Sequence, residues 1–176
     1  MPSNVVHLSL PASSDESLTV ASDNTAGGRA SRRAQGGRSM SLHVSKLRGI
    51  SNQVRNKLKQ QGVTYTHQLL EAAGRLEGRR ALVARSGIEE PIVMRLTCRA
   101  DLARIKGVGA IFADMLELIG VDRVSSLAEQ DPVALHEILH QLNAAERFAR
   151  RAPTQDEVID WVAQAKALPE LVDRRS

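Results

Sequence analysis

The sequence predicts an all-α fold, and three observations carry that prediction. Aromatic residues are only 2% of the 176, with Tyr65, Phe112, Phe148 and Trp161 the whole set, so Leu, Val, Ile, Ala and Met have to build the interior. A sheet-rich fold draws on more aromatic side chains, and so does a base-stacking RNA platform. From residue 41 onward apolar residues recur at helical spacing. The chain also repeats itself there. Leu47-Arg48-Gly49-Ile50 aligns with Ile105-Lys106-Gly107-Val108, and the same offset of 58 pairs Leu58 with Leu116, Gly62-Val63 with Gly120-Val121, Leu69 with Leu127 and Glu71 with Glu129.

Residues 1–40 are rich in Ser, Ala, Gly and Asn without sustained periodicity and are expected to be a disordered tail. Its stretch from Gly27 to Arg38 holds Arg29, Arg32, Arg33 and Arg38 and no acid, which suits a solvated linker or an auxiliary nucleic-acid arm. Met40 stands where patterned sequence begins and is an alternative start of the translated chain. A first, basic unit is expected over 41–100 and a second, acidic unit over 101–172, the two packed as one compact helical domain.

In the first unit a helix ends near Arg48, the chain turns at 49–51, and a second helix runs over 52–61. Gly62 closes it, because glycine accepts the left-handed conformation. Thr66 is expected to N-cap a short helix carrying Leu69 and Leu70. Further helices follow over 77–85 and 89–100. In the second unit a helix over 101–105 leads into the turn at Gly107 and a helix over 110–119. Asp131 caps a helix that Pro132 opens and that runs to about Asn143, with Leu135, Ile138, Leu139 and Leu142 as its inward stripe. Thr154-Gln155-Asp156-Glu157 is a capping box opening a last helix to about Ala167, which Pro169 stops. Trp161, with Val158, Val162 and Ala165 at helical spacing, reads as a core anchor.

Leu102-x-x-Ile105-x-Gly107-Val108-Gly109-x-x-Phe112-x-x-x-Leu116 has the form of a helix-hairpin-helix. Gly107 closes one helix and Val108 points between the two. Gly109 leaves the next helix N-terminus bare, so its N–H groups and positive dipole end can meet a phosphate oxygen. The first turn carries Ser51 in place of that second glycine, and its hydroxyl can cap the helix. With Val54 and Leu58 inward, Asn52, Arg55, Asn56 and Lys59 share the outer face; the second unit has Ala110, Ala113, Asp114 and Glu117 there.

Charge separates the two turns. The net +4 divides into +1 over 1–40, +7 over 41–99 and −4 over 100–176. Phosphate attraction is long-ranged and supplies most non-specific affinity. The predicted nucleic-acid contact is therefore the first turn, Arg48, Gly49, Ser51, Asn52, Arg55 and Lys59. Lys106, Gly107 and Gly109 are its counterparts in the second, and Arg75, Arg79 and Arg80 are outlying contacts. No residue set predicts base-specific readout.

The stretches Gly62-Val63…Leu69-Leu70-Glu71-Ala72-Ala73, Gly78-Arg79-Arg80-Ala81-Leu82…Gly87-Ile88 and Arg99-Ala100-Asp101-Leu102-Ala103-Arg104-Ile105-Lys106-Gly107-Val108-Gly109 resemble an uncharacterised bacterial family of tandem helix-hairpin-helix domains. Pro153-Thr154…Val158…Trp161-Val162…Ala165-Lys166…Leu168 continues the resemblance, which covers about residues 42–170. It implies an all-helical fold similar to DNA-repair hairpin domains and carries no established activity.

Catalytic patterns fare poorly. His136-Glu137-Ile138-Leu139-His140 matches the zincin spacing, but the chain offers no sheet and no evident cleft-forming domain, so no metal is expected. No Gly-rich phosphate loop ends in Lys-Ser/Thr, and no carboxylates cluster for a two-metal site. Cys98, the only cysteine, excludes a disulfide framework and fits a reducing compartment. Arg95 and Arg99 nearby would lower its pKa, yet a buried structural role is the expectation. No apolar run has the length of a membrane span, and no secretory signal is read at the N-terminus, so the expected location is cytoplasmic. The expected function is a non-enzymatic, largely sequence-independent DNA-binding module without a cofactor. The alternative is a protein-interaction or self-assembling adaptor, in which the basic half of one molecule meets the acidic half of another.

Overall fold

The computed structural model describes residues 41–174, and among them a single 3-10 turn, Val44–Lys46, precedes eight α-helices with no strand. The tail expected over 1–40, with its four arginines, lies outside the described residues. The helices are α1 (Asn52–Gln60), α2 (Thr66–Ala73), α3 (Leu76–Ser86), α4 (Glu90–Leu102), α5 (Ala110–Leu118), α6 (Val124–Ala128), α7 (Pro132–Glu146) and α8 (Gln155–Ala167).

Local chemistry sets most of the boundaries. The Ser51 hydroxyl accepts from the Val54 N–H at the start of α1, and Asp131 accepts from Val133 and Ala134 at the start of α7. Thr154 and Glu157 complete their reciprocal box, each accepting the other's N–H, at 3.2 and 2.8 Å. At the ends of α1 and α5, Gly62 and Gly120 take φ of 78° and 84°, which an L side chain resists. The chain then folds back identically in both places: Val63 donates to the Leu58 carbonyl at 2.9 Å and Val121 to the Leu116 carbonyl at 2.8 Å. The correspondence extends into packing, since α2 lies on α4 as α6 lies on α8.

Four expectations are corrected. The helix ending near Arg48 is only the 3-10 turn, because residues 42–44 run extended beside 64–66, with Val44 donating to Thr64 and Thr66 to Leu42. Thr66 is the first residue of α2 and not its cap: Tyr65 holds the N-cap position, its N–H received by Gln68, while the Thr66 hydroxyl accepts from the Leu42 N–H. The separate helix over 101–105 does not form. Instead α4 continues to Leu102, and tight bonds from Arg104 to Asp101 and Ile105 to Leu102 make the turn. Finally, α7 buries Leu135 and Leu139, but Ile138 is 46% exposed, so its apolar stripe is narrower than its sequence.

Two apolar clusters form the interior. One gathers Leu58, Leu69, Leu82, Val93, Leu96 and Ala100, the other Leu102, Met115, Leu116, Leu127, Leu139 and Val158 around the fully buried Trp161. Burying each such leucine contributes roughly 1.5–3 kcal/mol. Phe112 packs on the Trp161 ring at 5.2 Å. Beyond α8 the chain returns to the first cluster, where Val172 is completely buried. Asp173 donates its N–H to the Gly74 carbonyl and accepts the Leu76 N–H with its carboxylate, so it caps α3 from 97 residues away. That bond first, then the Arg75 guanidinium at 2.8 Å, holds the Asp173 carboxyl below the usual carboxylate range.

Candidate nucleic-acid interface

Helix α1 is anchored by Leu58, which has no exposure, and Asn52, Arg55, Asn56 and Lys59 share one flank beside it. Arg55, Asn56 and Lys59 from that side join His43, Val44, Val63 and Thr64 around a cleft of about 300 Å³. Among the described residues no carboxylate pairs with Arg55 or Lys59. Ser51 and Asn52 are exposed at the N-terminal end of the same helix. Here the helix dipole is positive, which favours an anion, although the Ser51 hydroxyl already takes the Val54 amide.

Arg48 and Gly49 border a different hollow. Arg48 forms an ion pair with Asp114 of α5 at 2.6 Å. Arg99 of α4 reaches the same Asp114 at 3.1 Å and Glu117 at 2.7 Å, and donates to the Arg48 carbonyl. Arg95 adds a longer pair to Glu117 at 3.6 Å. The acidic face of α5 is thus neutralised from within the chain, and Arg48 belongs to that network and not to the α1 cleft.

The second turn is packed more tightly. Gln164 of α8 accepts the Lys106 N–H at 2.8 Å and donates to the Lys106 carbonyl at 3.1 Å. Gly107, with φ of 95°, lies against Trp161: a Cβ there would come within 2.7 Å of the indole Nε1. Gly109 is exposed and N-caps α5 without a side-chain bond, but its own N–H is received by the Gly107 carbonyl at 3.1 Å. Lys46 and Arg48 stand beside Gly109 and Ala110 around a small hollow.

The predicted positions therefore fall into three groups. Ser51, Asn52, Arg55 and Lys59 share one side of α1; Arg48 and Gly49 meet the α5 carboxylates; Lys106, Gly107 and Gly109 form the second turn. Among the outlying contacts, Arg79 is corrected outright. It is fully buried and donates to the Ala73 carbonyl at 3.3 Å, so it cannot reach a ligand from solution. Arg75 is engaged by Asp173, and Arg80 is exposed. His43 and Thr64 were not predicted to line the cleft, because only the long-range pairing of 42–44 with 64–66 brings them to α1.

Two reactive-looking features resolve differently from their sequence neighbourhoods. Burial, then the Asp122 carboxylate, pushes the Cys98 thiol up to about 12, against the lowering expected from nearby arginines. The His136 and His140 rings lie 6.1 Å apart, and among the described residues no group of three or more His, Cys, Asp or Glu gathers to hold a metal ion. No described helix is long and apolar enough to cross a membrane.

Fold and cleft together define an all-helical protein with a cationic recess on one of its shorter helices. The chain belongs to the family described as Domain of unknown function (DUF4332), which residues 48–168 match. No curated protein and no solved structure matches the chain.

Proposed function

We propose that the protein is a non-enzymatic, largely sequence-independent DNA-binding module that grips backbone phosphates through the cationic cleft on α1, the helix that follows its first turn. The observation that carries this reading is the contrast between two sets of cations. Arg48, Arg95 and Arg99 face Asp114 and Glu117, whereas Arg55 and Lys59 line a cleft with no acidic wall. Asn56 adds an uncharged donor, and the exposed start of α1 adds the positive end of a helix dipole. Contacts of this kind position a duplex without reading its bases.

The adaptor alternative, in which the acidic half of one molecule meets the basic half of another, cannot draw on Asp114 and Glu117, which are already engaged by the same chain. The test is a salt titration of full-length protein on a fluorescent duplex, beside an Arg55→Glu/Lys59→Glu variant. The variant is expected to lose at least about tenfold in affinity and to flatten the salt slope by about 2, with unchanged helical circular dichroism. Equal affinities at every salt concentration overturn the proposal.

A further inference from the structure

A group of rings adjoins the cleft. His43 and Tyr65 oppose each other in an isolated antiparallel bridge, which puts their side chains on one side of the backbone. Their rings meet edge to face at 5.6 Å, and His67 stacks on Tyr65 at 5.9 Å with 22° between the planes. The count of aromatic residues hides this cluster, because two of its three rings are imidazoles.

The rings stand on fixed backbone. Val44 donates to Thr64 at 2.9 Å, Thr66 to Leu42 at 2.8 Å, and Leu42 to the Thr66 hydroxyl at 3.1 Å. His43 Nδ1 accepts the Ser45 N–H at 3.2 Å, and His67 Nδ1 bonds the Ser41 hydroxyl. Tyr65 nevertheless stays 43% exposed. His43 belongs to both features: it touches Tyr65 and walls the same cleft as Arg55, Asn56 and Lys59.

Intact duplex hides its base faces in the stack and has no use for a ring at this place. An unpaired strand offers phosphate and base face on one flexible unit, and stacking on a ring tolerates any base. We infer that the recess takes single-stranded DNA, with a phosphate against Arg55 and Lys59 and a neighbouring base laid on the His43–Tyr65–His67 cluster. The protein then favours gaps, tails and junctions over continuous duplex. This inference rests on the DNA-binding reading and narrows its substrate class.

Fluorescence anisotropy decides it, using labelled oligothymidylate and a labelled duplex of equal length with the full chain. Wild type is expected to bind the single strand more tightly. Tyr65→Ala is expected to weaken single-strand binding about tenfold and duplex binding less than about twofold. Tyr65→Phe, which keeps the ring, restores the preference, and Arg55→Glu/Lys59→Glu weakens both. Equal wild-type affinities, or an equal loss on both probes in Tyr65→Ala, overturn the single-strand assignment while leaving duplex binding standing. Binding to neither probe overturns both proposals. Oligouridylate held more tightly than oligothymidylate overturns the assignment to DNA.

Discussion

Arg99 donates to the backbone carbonyl of Arg48, and both guanidinium groups converge on the carboxylate of Asp114. A side chain from the end of α4 thereby pins the tip of the first turn and joins it to α5. The arrangement accounts for a puzzle in the charge pattern: the basic and acidic halves attract each other within one molecule.

Removing Arg99 takes a donor from the Arg48 carbonyl and frees Glu117 of its shortest partner. Arg99→Met is expected to cost about 2 kcal/mol in chemical denaturation. Arg48→Ala removes a more exposed partner of the same carboxylate and is expected to cost less than about 1 kcal/mol. Equal losses in the two variants would show that the less exposed end of the network carries no special weight.

The two glycines of the second turn are expected to behave differently. Gly107→Ala combines a positive φ with a contact against Trp161, and is expected to lose about 2–3 kcal/mol while shifting the tryptophan emission. Gly109 has an ordinary φ of −81° and open space around it, so Gly109→Ala is expected to cost about 1 kcal/mol or less. Denaturation followed by fluorescence compares them directly.

Cys98 is expected to resist alkylation in the folded protein at mildly alkaline pH. With the thiol pushed up to about 12, almost none is thiolate there, and the side chain is buried besides. Iodoacetamide labelling followed by mass spectrometry is expected to track unfolding. Rapid labelling of the native state would contradict the placement of Cys98 beneath Asp122.

Arg151 binds Glu157 through two bonds of 2.6 and 2.7 Å, and that pairing, then the Thr154 N–H, lowers the Glu157 carboxyl from 4.5 to about 2. A folded-state pKa below the unfolded one stabilises fully above 4.5, and the contribution disappears as pH falls toward 2. Wild type is therefore expected to melt above Glu157→Gln near neutrality, with the gap closing through that acidic window. A gap independent of pH would assign the effect to something other than the charge.

Much of the scaffold was legible because its signals are local. Gly62 and Gly120 end helices, Thr154 and Glu157 cap each other, and Trp161 sits among Val158, Val162 and Ala165; each needs only a few neighbouring residues. What escaped depends on distant segments. The first helix is only the turn Val44–Lys46 because residues 64–66 hold the chain extended, and nothing in the turn around Arg79 marks its burial. Candidate-site reading divides along the same line. The α1 face of Arg55 and Lys59 follows from helical spacing, but the engagement of Arg48 by Asp114 spans 66 residues and the approach of His43 to that face needs the bridge to Tyr65. Period alone places Ile138 inward, yet α7 buries Leu135 and Leu139 and leaves Ile138 exposed.

The return of Val172 and Asp173 to the first cluster orders events during synthesis. While the protein is emerging from the ribosome, the earlier hydrophobic cluster lacks one of its side chains and α3 lacks its carboxylate cap until the segment after α8 has appeared. Early-made helices must wait for late-made residues, so the first cluster is completed only after the second has all its buried side chains.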